Sequence, residues 1–252
     1  MTTPKMRRQF ASDNWAGICP EAWAALAEAN AGHAPSYGAD AWTAEAVRLL
    51  RAVFETDCEV HFVFNGTAAN SLAVAAMCAP FESVLCHEHA HLATDECGAP
   101  GFFAHGTTLV RLPGAHGKIA PAEVGRATRN RRDVHAQKVR AVSITQSTEL
   151  GAVYAPQEIA ALGEAARALD LRLHIDGARF AGKISRHREP AAEGAARVVK
   201  AADVIALPAV QRNRRARERG ERGFRIGAER GVGFAGEGVG GGAHGLGKRW
   251  RG

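Results

Sequence analysis

Three short polar clusters in this chain carry residue types able to do chemistry. Asn65-Gly66-Thr67-Ala68-Ala69-Asn70 follows the apolar run VHFVF and precedes a helical stretch. A glycine there allows close backbone approach, and a helix N-terminus offers free N–H groups at the positive end of its dipole. Thr67 adds a hydroxyl, so the segment reads as a phosphate cradle, or more simply as an N-capped helix start with a turn glycine. His87-Glu88-His89-Ala90-His91, followed by Asp95-Glu96, puts alternating histidines at a strand end. Such a set could bind zinc if a second shell supported it. A single histidine stacking on a flat ring, or exposed histidines with no role, are the competing readings. In His174-Ile175-Asp176-Gly177-Ala178-Arg179, Asp176 ends the run LRLHI and projects into the crevice beyond it. A buried carboxylate needs a cationic partner because its desolvation is costly. Arg179 is one candidate, and a protonated nitrogen on a bound ring is another.

The elements around these clusters must position them. PEAWAALAEANAG and AWTAEAVRLLRAVFE read as amphipathic helices, with a loop holding Pro35, Tyr37 and Gly38 between them. CEVHFVF, SVLCHEH, TLVRLP, KVRAVSITQS, LRLHID and AADVIAL read as strands, while SLAVAAMCA and PQEIAALGEAARALDL read as helices. Short apolar runs alternating with helices predict an α/β fold with a mainly parallel sheet. In such a sheet, ligands bind beyond the carboxyl ends of the strands, where all three clusters fall.

Composition narrows the function classes. The 252 residues are 46% apolar and 23% charged, an ordinary globular balance. The net charge of +6 is uneven. Residues 208–252 hold ten Arg, one Lys and four Glu, a net of +7, which leaves −1 on residues 1–207. Nucleic-acid binding by the folded body therefore loses its compositional support. Five cysteines, Cys19, Cys58, Cys78, Cys86 and Cys97, without a C-x-x-C spacing argue against a disulfide framework. MTTPKMRRQF is not followed by an apolar stretch, and LAVAAMCAPF is too short to span a bilayer. A cytoplasmic location without membrane insertion is expected.

A phosphate cradle, a ring-stacking histidine and an aspartate for a pyridine nitrogen fit pyridoxal phosphate. At this point the chain resembles the threonine aldolases of the aromatic amino acid β-eliminating lyase superfamily. The matching segments are FASDNWAGICPEAW, PSYGADAWTAEAVRLL, FVFNGTAANSLAV, HEHAHLATDECGAPGFF, ITQSTELGAVY and LHIDGARFA, in family order. The resemblance implies an aspartate-aminotransferase-like large domain over residues 1–207. It implies that Gly66 and Thr67 hold the cofactor phosphate, and that His91, backed by Glu96, stacks on the ring. It places Asp176 on the pyridine nitrogen and Arg179 on the substrate carboxylate or cofactor face. Ser12 and Asn14 would approach the substrate carboxylate, and Tyr37 would line the site. The implied reaction is cleavage of a β-hydroxy-α-amino acid, such as threonine, to glycine and an aldehyde. Some members place a histidine near Glu149 for the β-hydroxyl proton; here QSTEL leaves Thr148 or Glu149 in that region. Homo-oligomers, dimers or tetramers, are also implied.

Two family features are missing. The family's Schiff-base lysine should follow the strand after DGAR, yet no lysine occurs between Lys200 and Lys248, and Lys200 precedes AADVIAL. In place of the small C-terminal domain, residues 208–252 hold 13 Gly and ten Arg with few large apolar residues. That composition predicts a tail without fixed structure, and the Ala209-Val210-Gln211-Arg212 string suggests a frameshift near Leu207. The expectation is an aldolase-type lyase whose own activity is impaired. The alternative is a non-catalytic, degenerate pyridoxal-phosphate fold.

Overall fold

The computed structural model describes residues 17–131, 133–180, 202–206 and 231–234. Helices α1 (Pro20–Ala29) and α2 (Ala41–Phe54) come first, then strand β1 (Glu59–Phe62) and helix α3 (Gly66–Met77). Strand β2 (Glu82–His87) leads to two short helices, α4 (His91–Thr94) and α5 (Ala99–Phe103), and to β3 (Thr108–Leu112). Helix α6 (Pro121–Asn130), β4 (Lys138–Thr145), α7 (Pro156–Arg167), β5 (Arg172–Asp176), β6 (Val204–Ala206) and β7 (Gly231–Phe234) complete the described elements. The seven strands form one sheet in the order β1-β7-β6-β5-β4-β2-β3. Pairings from β3 across to β6 are parallel, while β7 runs antiparallel to β1 and β6. The mainly parallel α/β architecture is the one expected.

Strand alternation sorts the side chains onto two faces. Leu85, Val142, Ile144, Leu173, Ile175 and Ile205 pack with Val124 and Ala127 of α6 and Ile159, Leu162 and Ala166 of α7. Burying each such large aliphatic side chain contributes about 1.5–3 kcal/mol. On the other face, Val84, Cys86 and Ala141 meet Val74 of α3 and Cys78 at its C-cap. Further along this face the sheet turns polar: buried Ser143 lies opposite His174, and Thr145 opposite Asp176. One face is thus an apolar seam under α6 and α7. The other carries polar groups to the carboxyl ends of β4 and β5, beneath α3.

Three expectations change. The run SVLCHEH does not stay a strand to His89, because β2 ends at His87. The Ala90 N–H turns back to the His87 carbonyl at 2.9 Å, and His91 opens α4 instead of sharing a face with His87 and His89. Helix α6 was not expected; its sequence PAEVGRATRN buries only Val124 and Ala127 and carries a mid-helix glycine. Within the span 208–252, expected to lack structure, Gly231–Phe234 pairs as β7, where backbone hydrogen bonding asks little of side chains. The rest of that span, with the frameshift point, lies outside the described residues. Among the described residues no helix is long and apolar enough to cross a membrane.

Candidate active site at the carboxyl ends of β4 and β5

Helix α3 starts where the sequence predicts. The Asn65 side chain accepts the Ala68 N–H at 2.8 Å, capping the first turn. This leaves the N–H groups of Gly66 and Thr67 directed outward from the helix N-terminus. A Cβ placed on Gly66 would meet nothing within 4 Å, so the backbone there borders open space. An anion can therefore approach the first turn closely.

One turn further along α3, Asn70 is buried and joins the other two clusters. Its Nδ2 donates to Glu96 Oε1 at 2.6 Å and to Asp176 Oδ2 at 3.0 Å. His91 Nδ1 lies 3.0 Å from the same Glu96 oxygen. An ionised carboxylate can only accept, so Nδ1 carries the proton and donates. That hydrogen bond, reinforced by the charge of Glu96 and opposed by partial burial, raises the imidazole pKa above its ordinary value. The far side of the His91 ring remains accessible, at 40% side-chain exposure. Asn70 on α3 thus links the His91–Glu96 pair to Asp176 at the carboxyl end of β5.

Asp176 is buried, and its Oδ1 accepts the Ala178 N–H at 3.0 Å. Its expected internal partner is elsewhere. The chain turns after β5, with the Phe180 N–H on the Gly177 carbonyl at 2.8 Å. Arg179 is carried to Glu149 Oε1 at 3.5 Å and the Ser147 carbonyl at 3.4 Å. The Asp176–Arg179 ion pair is therefore absent, and no lysine or arginine among the described residues forms an ion pair with the Asp176 carboxylate. Glu149 also accepts the His91 backbone N–H at 3.1 Å, so it ties α4 to Arg179. The sequence brought Glu149 into view but assigned it no partner. Thr148 is turned inward, its hydroxyl donating to the His116 carbonyl at 2.8 Å.

Other predicted residues fall away from this group. Tyr37 stands fully exposed in the loop between α1 and α2, outside the hydrogen-bonded group around Asp176. Ser12 and Asn14 lie outside the described residues. His87 is used structurally: its Nδ1 accepts the His89 N–H at 3.1 Å, so its Nε2–H donates to the Gly114 carbonyl at 3.0 Å. Among the described residues, no three His, Cys, Asp or Glu side chains are grouped to hold a metal ion.

Two residues were missed as site elements. Asn70 looked like part of a cap, and only its long-range contacts reveal its place. His174 is fully buried two residues before Asp176 on the same face; its Nδ1 lies 2.9 Å from Ser143 Oγ, and burial pushes its pKa down to about 4. The signal for both was periodicity. Asn70 sits a helical turn from Gly66, and His174 sits a strand repeat from Asp176.

The chain is similar in sequence and fold to several known proteins. The chain is 56% identical over 173 residues to a low specificity L-threonine aldolase of Pseudomonas aeruginosa, covering 69% of this chain and 50% of that protein. A second low specificity L-threonine aldolase, from a Pseudomonas species, is 54% identical over the same length and coverage. The chain spans about half the length of these curated relatives. A solved threonine aldolase from Leishmania major superposes with a TM-score of 0.75 at 26% identity, over 88% of this chain and 60% of that one. A C–S lyase of Staphylococcus hominis, solved with pyridoxal phosphate bound, shares the fold at a TM-score of 0.54 and 14% identity, covering 87% of this chain and 53% of that one. Threonine aldolases and β-eliminating lyases are pyridoxal-phosphate-dependent. A model of the β-eliminating lyase family matches residues 9–209, and with the parallel sheet and strand-end site already described, the chain belongs to that family.

Proposed function

We propose that the groups gathered at the carboxyl end of β5 and the N-terminus of α3 bind pyridoxal phosphate and that the chain is an aldehyde-lyase of the threonine aldolase type. The observation that carries this reading is the buried Asp176 carboxylate, which faces no lysine or arginine partner among the described residues and is joined through Asn70 to the His91–Glu96 pair. The group's donor set suits the cofactor. Gly66 and Thr67 offer N–H groups and a hydroxyl to a phosphate, and the open space over Gly66 leaves room for one. Asp176 would hold a proton on the ring nitrogen, and His91 would lie against the ring. Arg179, half-exposed on its Glu149 tether, would receive a substrate carboxylate. The bound cofactor supplies an electron sink for cleavage of the Cα–Cβ bond of a β-hydroxy-α-amino acid. Glu149 would be the group nearest to hold the β-hydroxyl proton, since Thr148 is committed to His116. The 54–56% identical aldolases support this reaction class.

The finer part of the proposal concerns activity. No lysine follows β6 before Lys248, so the chain would hold the cofactor without a covalent bond and turn over poorly. A neutral body and an Arg/Gly tail without periodic aromatics give nucleic acid no comparable support. Phe102 and Phe103 on α5, at 77% and 56% exposure, support assembly with a second copy of the chain. The test is equilibrium titration of the purified chain with pyridoxal phosphate, followed by a threonine cleavage assay. Saturable binding that borohydride does not make covalent, with negligible aldehyde release, is expected. Absence of saturable binding refutes the cofactor assignment, and sustained turnover refutes the impairment.

A further inference from the structure

Asn70 occupies a position that neither capping nor packing accounts for. It is 3% exposed, and its side chain lies between two carboxylates. Both neighbours accept, so the amide nitrogen must face them. Its Oδ1 is consequently buried without a partner, and so is Glu96 Oε2. Buried polar atoms are rarely left unpaired. Here two acceptors go without donors while both protons of one amide are spent on Glu96 and Asp176. These contacts span 26 and 106 residues of sequence, so they tie α3 to the segment after α4 and to the end of β5.

We propose that Asn70 is a positioning residue that couples the His91–Glu96 pair to Asp176, so that the group against the cofactor ring and the group on its nitrogen are held in matched charge states. This rests on the cofactor assignment above and adds to it the means by which two anions sit side by side. Without the amide, Glu96 and Asp176 would each lose a buried donor, and His91 would be left as the one donor on Glu96 Oε1. With it, each anion gains a donor, and Glu96 divides its charge between the Asn70 amide and the His91 imidazole. The charged groups facing His91 are Glu96, Asp95 and Asp176, with Glu149 on its backbone N–H and Arg179 beyond. Those facing Asp176 are His91 and His174.

The test uses the full 252-residue chain without added cofactor. The His91 ring is titrated by NMR, its signal assigned by comparison with His91→Gln. In Asn70→Leu, Glu96 loses its second donor and leans on the imidazole alone, so the His91 midpoint rises by about one pH unit, roughly tenfold in proton affinity, the scale of one charge-assisted hydrogen bond. A merely structural asparagine would leave the midpoint unmoved, or let it fall toward that of a free histidine as the pocket loosens, and either result overturns the proposal. Should Asn70→Leu fail to fold, the nearly isosteric Asn70→Asp carries the test. It adds an anion in place of the donor and raises the midpoint further, whereas a flat response overturns the coupling. Pyridoxal phosphate titration of the wild-type chain separates the two readings. A shifted His91 without cofactor binding supports the coupling and refutes the cofactor assignment; bound cofactor with an unshifted His91 overturns the coupling alone.

Discussion

Acid should destabilise this protein through one residue. His174 is fully buried in β5, with Ser143 on its Nδ1 and no partner on Nε2. Burial lowers its pKa to about 4, against an upward pull from Asp176. The native imidazole therefore stays neutral down to about pH 4, while in the unfolded chain it protonates below about pH 6.5. Between those limits the unfolded state binds more protons, so stability falls as pH falls. That gap corresponds to about 3–4 kcal/mol, most of it lost by about pH 4. Urea unfolding followed by circular dichroism, at about pH 7 and about pH 4.5, measures this in the wild type and in His174→Asn, which keeps a polar group beside Ser143 but does not titrate. The carboxylates are common to both chains, so their contribution cancels in the comparison. The variant starts less stable, having left space in the core. Its further loss on acidification should be smaller than that of the wild type by about 2–3 kcal/mol. Equal losses in the two chains would refute the assignment of a buried neutral histidine.

Other substitutions probe the frame around the site. Asp176→Asn removes the anion for the ring nitrogen and should weaken pyridoxal phosphate binding at least about tenfold, by equilibrium titration, without loss of the circular dichroism spectrum. Asn65→Ala deletes the cap on α3 and should cost about 1 kcal/mol in urea unfolding. Tyr154→Phe leaves the buried Ile119 N–H without its 2.6 Å acceptor and should cost about 1–3 kcal/mol by the same measurement. Gly117 has φ +78°, and a Cβ there would sit 2.9 Å from Thr148 Cβ, so Gly117→Ala should lower the unfolding midpoint, at a cost of about 1–3 kcal/mol.

Much of this protein was written locally. Asn65 and Gly66 announce the start of α3 because a cap and a turn act within four residues. The strands β4 and β5 are visible because both of their faces are largely covered, which gives near-continuous apolar runs. Asp176 was legible as a candidate site residue since a carboxylate closing such a run needs a reason to be there. Where local signals were weak, the reading failed. Helix α6 has a polar composition and an interior glycine, and it exists because Val124 and Ala127 find the sheet. The alternating histidines resembled a strand, but β2 ends at His87, whose ring accepts the His89 N–H and donates to the Gly114 carbonyl.

The sequence by itself determined which groups could do chemistry and at which strand ends they would stand, since residue type, period and capping are properties of neighbours in the chain. Only the tertiary structure decided their partners. It gave Arg179 to Glu149 instead of Asp176, and it put Asn70 between Glu96 and Asp176. Pairing between groups 26 to 106 residues apart depends on how helices settle over a sheet, and no local pattern records that.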